Sequence, residues 1–341
     1  MTLTLNIDAR RWRGHLKGFQ EQIPGLVPVA KGNGYGFGLT TLADEAKRLD
    51  AQTIAVGIAQ EVAAVRSGGW EDDVVVLNPW RPADQLATAL LTDPKVITTV
   101  SRPEDLRSIS QSHPTARVIV EIETSMHRHG LDPRQLTADD FGELWFEGWA
   151  VHLPAAGSLE EANRLAHTGI ATRTGPIWAS HLSVDDYRTF SASMPVPTYL
   201  RVGTRLWLGD KQAYRTTATV LDVHPIKKGQ ALGYHGVPAP KDGFIVVASG
   251  GTAHGVAMAA PVPQRSLRQR GVTVAQGVLD AVGRTLSPYA IGGKKRSFAE
   301  PPHMHSSMIF VPGTEPLVHV GDEVPVTTRM TTVVTDEIRW G

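Results

Sequence analysis

An apolar run ends on a lysine at Val27-Pro28-Val29-Ala30-Lys31, and Gly32-Asn33-Gly34-Tyr35-Gly36-Phe37-Gly38 then alternates glycine with other side chains. A lysine amine at a strand end is a nucleophile able to form an imine once burial or a neighbouring cation lowers its pKa. The glycines let the backbone take conformations closed to other residues and approach a ligand closely. A surface lysine beside an ordinary loop is the plain alternative. The loop has neither the Gly-Lys-Ser/Thr of a nucleotide P-loop nor a true G-x-G-x-x-G. Further polar residues close later apolar runs: Glu121, Glu123 and Arg128, then His152, then Ser180 with His181, then Arg201, Gly203 and Thr204. Taken singly, His152 reads as a satisfied core histidine and Arg201 as a strand-end ion pair. Only their joint placement points to a common cavity.

That placement follows from a regular alternation. Apolar, β-rich runs at 26–30, 53–56, 73–78, 96–100, 117–122, 148–153, 176–180 and 198–202 are separated by helical stretches such as 41–49, 60–67, 83–91, 159–166 and 184–191. Eight buried strands alternating with helices make a (β/α)8 TIM-type barrel, whose chemistry sits at the C-terminal ends of the strands. Lys31 then ends the first barrel strand. Loops after the last two strands of such barrels bind phosphate through backbone amides, which suits Ser180 and Gly203-Thr204. An imine-forming lysine facing a phosphate site across a barrel mouth points to pyridoxal 5′-phosphate, PLP. After Gly209 the texture becomes strands between Gly/Pro-rich turns, at 217–223, 243–249, 308–311, 318–326 and 331–338. The division expected is a barrel over 1–212 and a mostly-β domain over 213–341, with the strand at 1–8 able to pair with the second domain. Residues 261–300 read as irregular apart from a helix at 274–282, and Lys294-Lys295-Arg296 as a solvated loop.

Composition narrows the function. The 341 residues exceed the usual single core, and lysine plus arginine balances aspartate plus glutamate at 34 each, so nothing favours nucleic acid or an anionic membrane as partner. Cysteine is absent, which removes disulfides, thiolate nucleophiles and cysteine zinc sites. With no secretory leader and no apolar run of membrane-spanning length, the expectation is a cytoplasmic protein.

The ordered motifs resemble the alanine racemase family of fold type III PLP enzymes over nearly the whole chain. Leu5-Asn-Ile-Asp8 resembles the opening strand, and Val29-Ala-Lys-Gly-Asn-Gly-Tyr-Gly-Phe-Gly38 the V-K-A-x-A-Y-G-H-G lysine motif. Glu123-Thr-Ser-Met-His-Arg-His-Gly130 is similar to D-T-G-M-x-R-x-G, Ala150-Val-His-Leu153 to Y-T-H-F, and Leu200-Arg-Val-Gly-Thr-Arg-Leu-Trp-Leu-Gly209 to V-R-P-G-x-x-x-Y-G. Later, Leu232-Gly-Tyr-His-Gly236 resembles V-S-Y-G, Gly251-Thr-Ala-His-Gly255 resembles G-Y-A-D-G, and Pro302-His-Met-His305 the segment ending in M-D. The resemblance implies that Lys31 carries the cofactor covalently, that Tyr35, Gly203, Thr204 and Ser180 hold its phosphate, that His152 packs on the pyridine ring and that Arg201 faces the ring nitrogen. It further implies a homodimer with a shared active site, in which Tyr234 from the partner's β domain opposes Lys31 while Arg128 and Met304 contact the amino-acid substrate. Inverting an α-carbon requires one group to remove a proton from one face and another to return it to the other. Lysine and tyrosine, both with ordinary pKa values near about 10, can do this once their surroundings lower them.

This chain departs from the family pattern in places. Glu121 stands where many members carry a carbamylated lysine, and a built-in carboxylate supplies the same negative charge. Thr252, His254 and His305 replace a tyrosine and two aspartates near the substrate entrance. The expected activity is therefore a PLP-dependent amino-acid racemase yielding D-amino acids, with the substrate open. The alternatives are a non-catalytic PLP-binding or homeostasis protein, or another fold type III reaction such as decarboxylation; the decarboxylase E-P-G-R motif and catalytic cysteine are both missing. No metal site is expected, because His303 and His305 lack a third ligand.

Overall fold

The computed structural model describes residues 2–258 and 285–341, so the helix expected at 274–282 lies outside the described residues. The chain divides into two compact units, Arg13–Gly209 and Met1–Trp12 with Asp210–Gly341.

The first unit is a parallel barrel. After β1 (Leu3–Ile7) come β2 (Leu26–Pro28), β3 (Thr53–Val56), β4 (Asp73–Val76), β5 (Val96–Val100), β6 (Arg117–Ile122), β7 (Trp145–His152), β8 (Ile177–Ser180) and β9 (Thr198–Val202). β2 through β9 form one eight-stranded sheet in the order β2-β9-β8-β7-β6-β5-β4-β3. A single parallel bridge, Val29 to Ala55, closes the remaining seam between β2 and β3. All eight expected barrel strands are therefore present. The strands are apolar because both faces are covered, one by helices and one by the barrel interior. Val27, Val29, Ala55, Val75, Ile97, Ile119, Ala150 and Trp178 make one contiguous inward cluster, nearly every strand contributing. Burying each aliphatic side chain in such a layer contributes about 1.5–3 kcal/mol.

Helix starts are set locally. Asp84, Ser158 and Ser183 cap the helices Gln85–Ala89, Leu159–Thr172 and Val184–Ser193 by accepting from Ala87 N, Glu161 N and Asp186 N. A side-chain cap of this kind contributes about 1 kcal/mol and ends the preceding loop abruptly, which keeps the strand ends clear. The helix Leu39–Arg48 buries Leu42, Ala43 and Ala46 together with Glu45, whose carboxylate is held by Arg13 at 2.6 Å.

The second unit contains β1 and the later strands β10 (Tyr214–Ile226), β11 (Ala231–Leu232), β12 (Val237–Pro238), β13 (Gly243–Ser249), β14 (Leu286–Ile291), β15 (Lys294–Phe298), β16 (Ser306–Pro312), β17 (Glu323–Val326) and β18 (Glu337–Trp340). Its main sheet runs β13-β16-β15-β14-β17-β10-β1-β18, and a further β10–β13 pairing joins six of these strands into a ring. β1 runs antiparallel to β10, with Leu5 opposite Thr216, and parallel to β18, with Leu5 opposite Ile338.

Two expectations are corrected here. Lys294-Lys295-Arg296 is not a loop: it begins β15, which turns back on β14 through Gly292-Gly293, both at positive φ. The strand expected at 331–338 is a turn followed by β18, because Asp336 is drawn to β1, its carboxylate accepting from Leu3 N at 2.8 Å. Among the described residues no helix is long and apolar enough to cross a membrane.

Candidate active site

The barrel ladder runs up to the residue before Lys31: Val29 N donates to Val202 O at 2.9 Å and Ala30 N to Ala55 O at 2.8 Å. Beyond it Gly32, Gly34, Tyr35, Gly36 and Gly38 all take positive φ. Glycine carries this geometry without penalty, whereas Tyr35, at φ 54°, is held in a left-handed conformation costing about 1 kcal/mol or more. That conformation turns its ring inward, leaving the residue 6% exposed. Burial pushes the phenol up to about 12, against a hydrogen bond from Thr204 that lowers it. The hydroxyl fills the space a Cβ on Gly203 would need, so glycine at 203 and tyrosine at 35 are complementary. Gly203 also precedes the short helix Thr204–Trp207, and Arg205 reaches back to the Leu182 carbonyl, tying the loops after β8 and β9 together.

Lys31 is exposed as a residue, but burial of its amine and the Arg128 charge lower its pKa, Glu61 raises it and Arg201 lowers it; the net direction is down. Glu61 was not singled out by sequence. Its carboxylate accepts from Gly32 N and Gly57 N, each at 2.6 Å. Sequence gives no capping-box signal for it, because Ile58, three residues earlier, has no side-chain acceptor; only the return bond from Ile58 N to Glu61 Oε2 at 3.2 Å is made.

Arg201 of β9, the strand next to β2, and Glu121 of β6 form a buried charge cluster. Arg201 is 6% exposed, and its Nε and Nη2 have no hydrogen-bond partner; Oε2 of Glu121, 3% exposed, is unpartnered as well. Burial pulls the guanidinium down to about 10, against the favourable charge of Glu121. Burial likewise pushes the Glu121 carboxyl up, opposed by Arg201, Arg128 and Arg81. Unsatisfied buried donors on a charged group are costly, so they mark a place built for an acceptor that completes the site.

His152 ends β7, its Nδ1 sharing a 2.8 Å hydrogen bond with the Ser180 hydroxyl at the end of β8. Burial, then the charges of Arg201 and Arg128, hold the imidazole down at about 2, so the ring is neutral across the working range. His181 packs edge-on to it, ring centroids 5.1 Å apart. Arg128 rides on a loop that folds back on itself, Glu123 N donating to Leu131 O and Leu131 N to Glu121 O at 3.0 Å each, and Arg128 makes no ion pair among the described residues.

The barrel thus brings together Lys31, Tyr35, Arg128, His152, Ser180, Arg201, Gly203 and Thr204, with Glu61, Glu121 and His181. Its cations outnumber its carboxylates, its histidines are neutral and its deepest donors are unpaired. Such a surface is suited to an anionic ligand that also offers a hydrogen-bond acceptor.

Tyr234 and Met304 belong to the β unit. Tyr234, 89% exposed, sits in the Gly233-Tyr234-His235-Gly236 turn between β11 and β12. Its backbone N donates to Glu300 Oε2 at 2.6 Å, while Glu300 Oε1 pairs with His303 Nε2 at 2.7 Å. The His303 ring then stands edge-on to the phenol at 5.5 Å. Met304 is 65% exposed. Of the residues departing from the family pattern, His254 is buried and committed to structure, its Nε2 lying 3.1 Å from Asp336.

Residues 7–172 match the family model for the alanine racemase N-terminal domain. An alanine racemase from Listeria monocytogenes is 30% identical over 166 residues, covering 46% of this chain and 44% of that one. One from Mycobacterium tuberculosis is 33% identical over 116 residues, 33% of this chain and 30% of the other. The chain therefore spans less than half the length of these curated relatives. Among solved structures, alanine racemase from Bartonella henselae with covalently bound pyridoxal phosphate aligns over 100% of both chains at TM-score 0.75 and 16% identity. Alanine racemase from E. faecalis aligns over 99% of this chain and 98% of its own at TM-score 0.72 and 18% identity. At such identities the likeness is one of fold.

Proposed function

We propose that this protein, whose residues 7–172 match the family model for the alanine racemase N-terminal domain, is a PLP-dependent amino-acid racemase. The observation that supports the reading is a lysine of lowered pKa that feels the charge of Arg201, whose buried Nε and Nη2 lack partners. Lys31, Tyr35, Gly203, Thr204, His152 and Arg201 would hold the cofactor. The Tyr35 hydroxyl, with Gly203 and Thr204, offers a cradle for a phosphate. Neutral His152, held by Ser180, offers a flat face for a ring, and Arg201 offers N–H groups to the ring nitrogen. PLP, when bound, supplies an electron-withdrawing ring that makes the attached amino acid's α-hydrogen acidic.

The chain's own groups supply the rest. Lys31, its pKa lowered by burial and by Arg128, gives up its proton more readily than an ordinary lysine, the direction that attack on an aldehyde and removal of a proton both require. Arg201 would offer N–H groups to the ring nitrogen while keeping its own proton. Glu121 keeps that guanidinium in place by its charge. Arg128, unpaired at the mouth, is suited to a substrate carboxylate. For the second face we assign Tyr234 of a partner subunit in a homodimer, its turn steadied by Glu300 and His303. D-amino acids are the product in this reading.

Two measurements test it. Purified protein incubated with PLP should gain the visible absorbance of lysine-bound cofactor, which Lys31→Ala removes. Separate L-amino acids in deuterated water should then yield the D-enantiomer with deuterium at the α-carbon. Absence of the absorbance overturns the cofactor assignment. Absorbance without inversion of any common amino acid leaves a PLP-binding protein, a second reading favoured by Thr252 and His305, which depart from the family pattern.

A further inference from the structure

The barrel has one weakly paired seam. Seven of its strand junctions are ladders of several residue pairs, one of them, β6–β7, with a register shift at Val118–Ile119, whereas β2 and β3 meet through the single Val29 to Ala55 bridge. Immediately above that bridge lies Glu61. Its Oε1 accepts from Gly32 N at 2.6 Å, and its Oε2 accepts from Gly57 N at 2.6 Å and Ile58 N at 3.2 Å. Gly32 directly follows Lys31, and Gly57 directly follows β3, so one carboxylate joins the loops leaving both strands. Packing there is close: a Cβ on Gly57 would lie 3.1 Å from the Lys31 Cβ and 3.0 Å from Glu61 Oε2.

We propose that Glu61 is a positioning residue for Lys31, a staple that closes the β2–β3 seam and fixes where the lysine leaves the barrel wall. The inference rests on the proposed function only in taking Lys31 as the reactive amine. Backbone N–H bonds to a carboxylate are among the stronger hydrogen bonds, and three converging on one group leave it little freedom. The same group acts on the amine by charge. Burial, Arg128 and Arg201 all favour the neutral amine, and Glu61 opposes them. Glu61 therefore holds Lys31 in place and keeps its affinity for a proton from falling further.

The test uses Glu61→Gln and Glu61→Asp in the cofactor-free full chain. Glutamine keeps the length but turns one oxygen into a donor facing a backbone N–H, and it removes the charge. Aspartate keeps the charge and loses reach. Amide hydrogen exchange at Gly32 and Gly57 should accelerate about tenfold or more in both variants, the loss of roughly one hydrogen bond. The pH profile of Lys31 acetylation, read by peptide mass spectrometry, should move to lower pH in Glu61→Gln and stay near the parent in Glu61→Asp. Parental exchange at both glycines in either variant, or a parental acetylation profile in Glu61→Gln, overturns the proposal. Should Glu61→Gln not fold, exchange in Glu61→Asp decides alone. Added PLP separates the two ideas: a parent protein that fails to bind it removes the racemase reading while the staple is still judged on exchange.

Discussion

Gly203→Ala isolates the complementarity that shapes the proposed phosphate cradle. The new methyl would collide with the Tyr35 hydroxyl and lie 2.8 Å from its Cζ, about 1 Å inside the separation at which carbon atoms attract. The φ of −112° at Gly203 lies outside the region that demands glycine, so the cost is steric and falls on Tyr35. Overpacking a filled interior costs about 1–3 kcal/mol, and we expect the midpoint of urea unfolding of the cofactor-free protein to fall accordingly. Tyr35→Phe alone should cost about 1 kcal/mol for the hydrogen bond shared with Thr204. Combined, the two changes should cost less than their sum by about 1 kcal/mol, because deleting the hydroxyl removes the worst collision. PLP affinity should fall about 10- to 100-fold in Gly203→Ala, the loss of one charge-assisted hydrogen bond. Additive costs within about 0.5 kcal/mol, or a Gly203→Ala variant as stable as the parent, would refute the argument.

Glu121→Gln removes the carboxylate whose charge favours the buried Arg201 guanidinium; because the two act by charge without a hydrogen bond, urea unfolding at pH 7 should show a loss of about 1–3 kcal/mol, and parental stability would dismiss the coupling. His152, held near 2 in the folded protein against about 6.5 unfolded, binds fewer protons folded than unfolded, so the stability it contributes is complete above about pH 6.5 and is lost as pH falls through that value, at no more than about 1.4 kcal/mol per pH unit. Comparing unfolding at pH 7.5 and 5.5, His152→Gln should lose less than the parent, and equal losses would show the histidine to be uninvolved. Tyr234→Phe removes a hydroxyl from a residue 89% exposed, so thermal stability should hold within about 0.5 kcal/mol while inversion of the amino acid disappears and cofactor absorbance remains. Retained inversion would dismiss Tyr234 as the second base.

The barrel was legible because burial on both faces leaves a mark that is local in sequence. A strand covered by helices outside and by side chains inside must be apolar along its length, and eight such runs separated by helical stretches admit few other folds. Lys31, at the end of the first run, needed only that pattern to become a candidate. The β unit left a fainter mark. Lys294–Phe298 is a strand made largely of charged and polar residues, and it is one only because Gly292-Gly293 turns it against Leu286–Ile291. Likewise Glu337–Trp340 is a strand because residues at the other end of the chain offer it an edge, parallel to Leu3–Ile7.

Within the site, the sequence by itself determined which side chains end the strands, while their partners were decided by the tertiary structure. Ser180 reads as a phosphate contact, and the fold brings its hydroxyl against His152, 28 positions earlier. Glu61 reads as the start of a helix, and the fold turns its carboxylate toward the amide beside Lys31, 29 positions away. That Arg201 keeps unpartnered donors in a buried setting has no sequence signature, because desolvation and the lack of an acceptor are properties of everything packed around the guanidinium. Periodicity records which face of an element is covered. Which polar atom meets which, and with what shift in charge, depends on distances set only when all eight strands have closed.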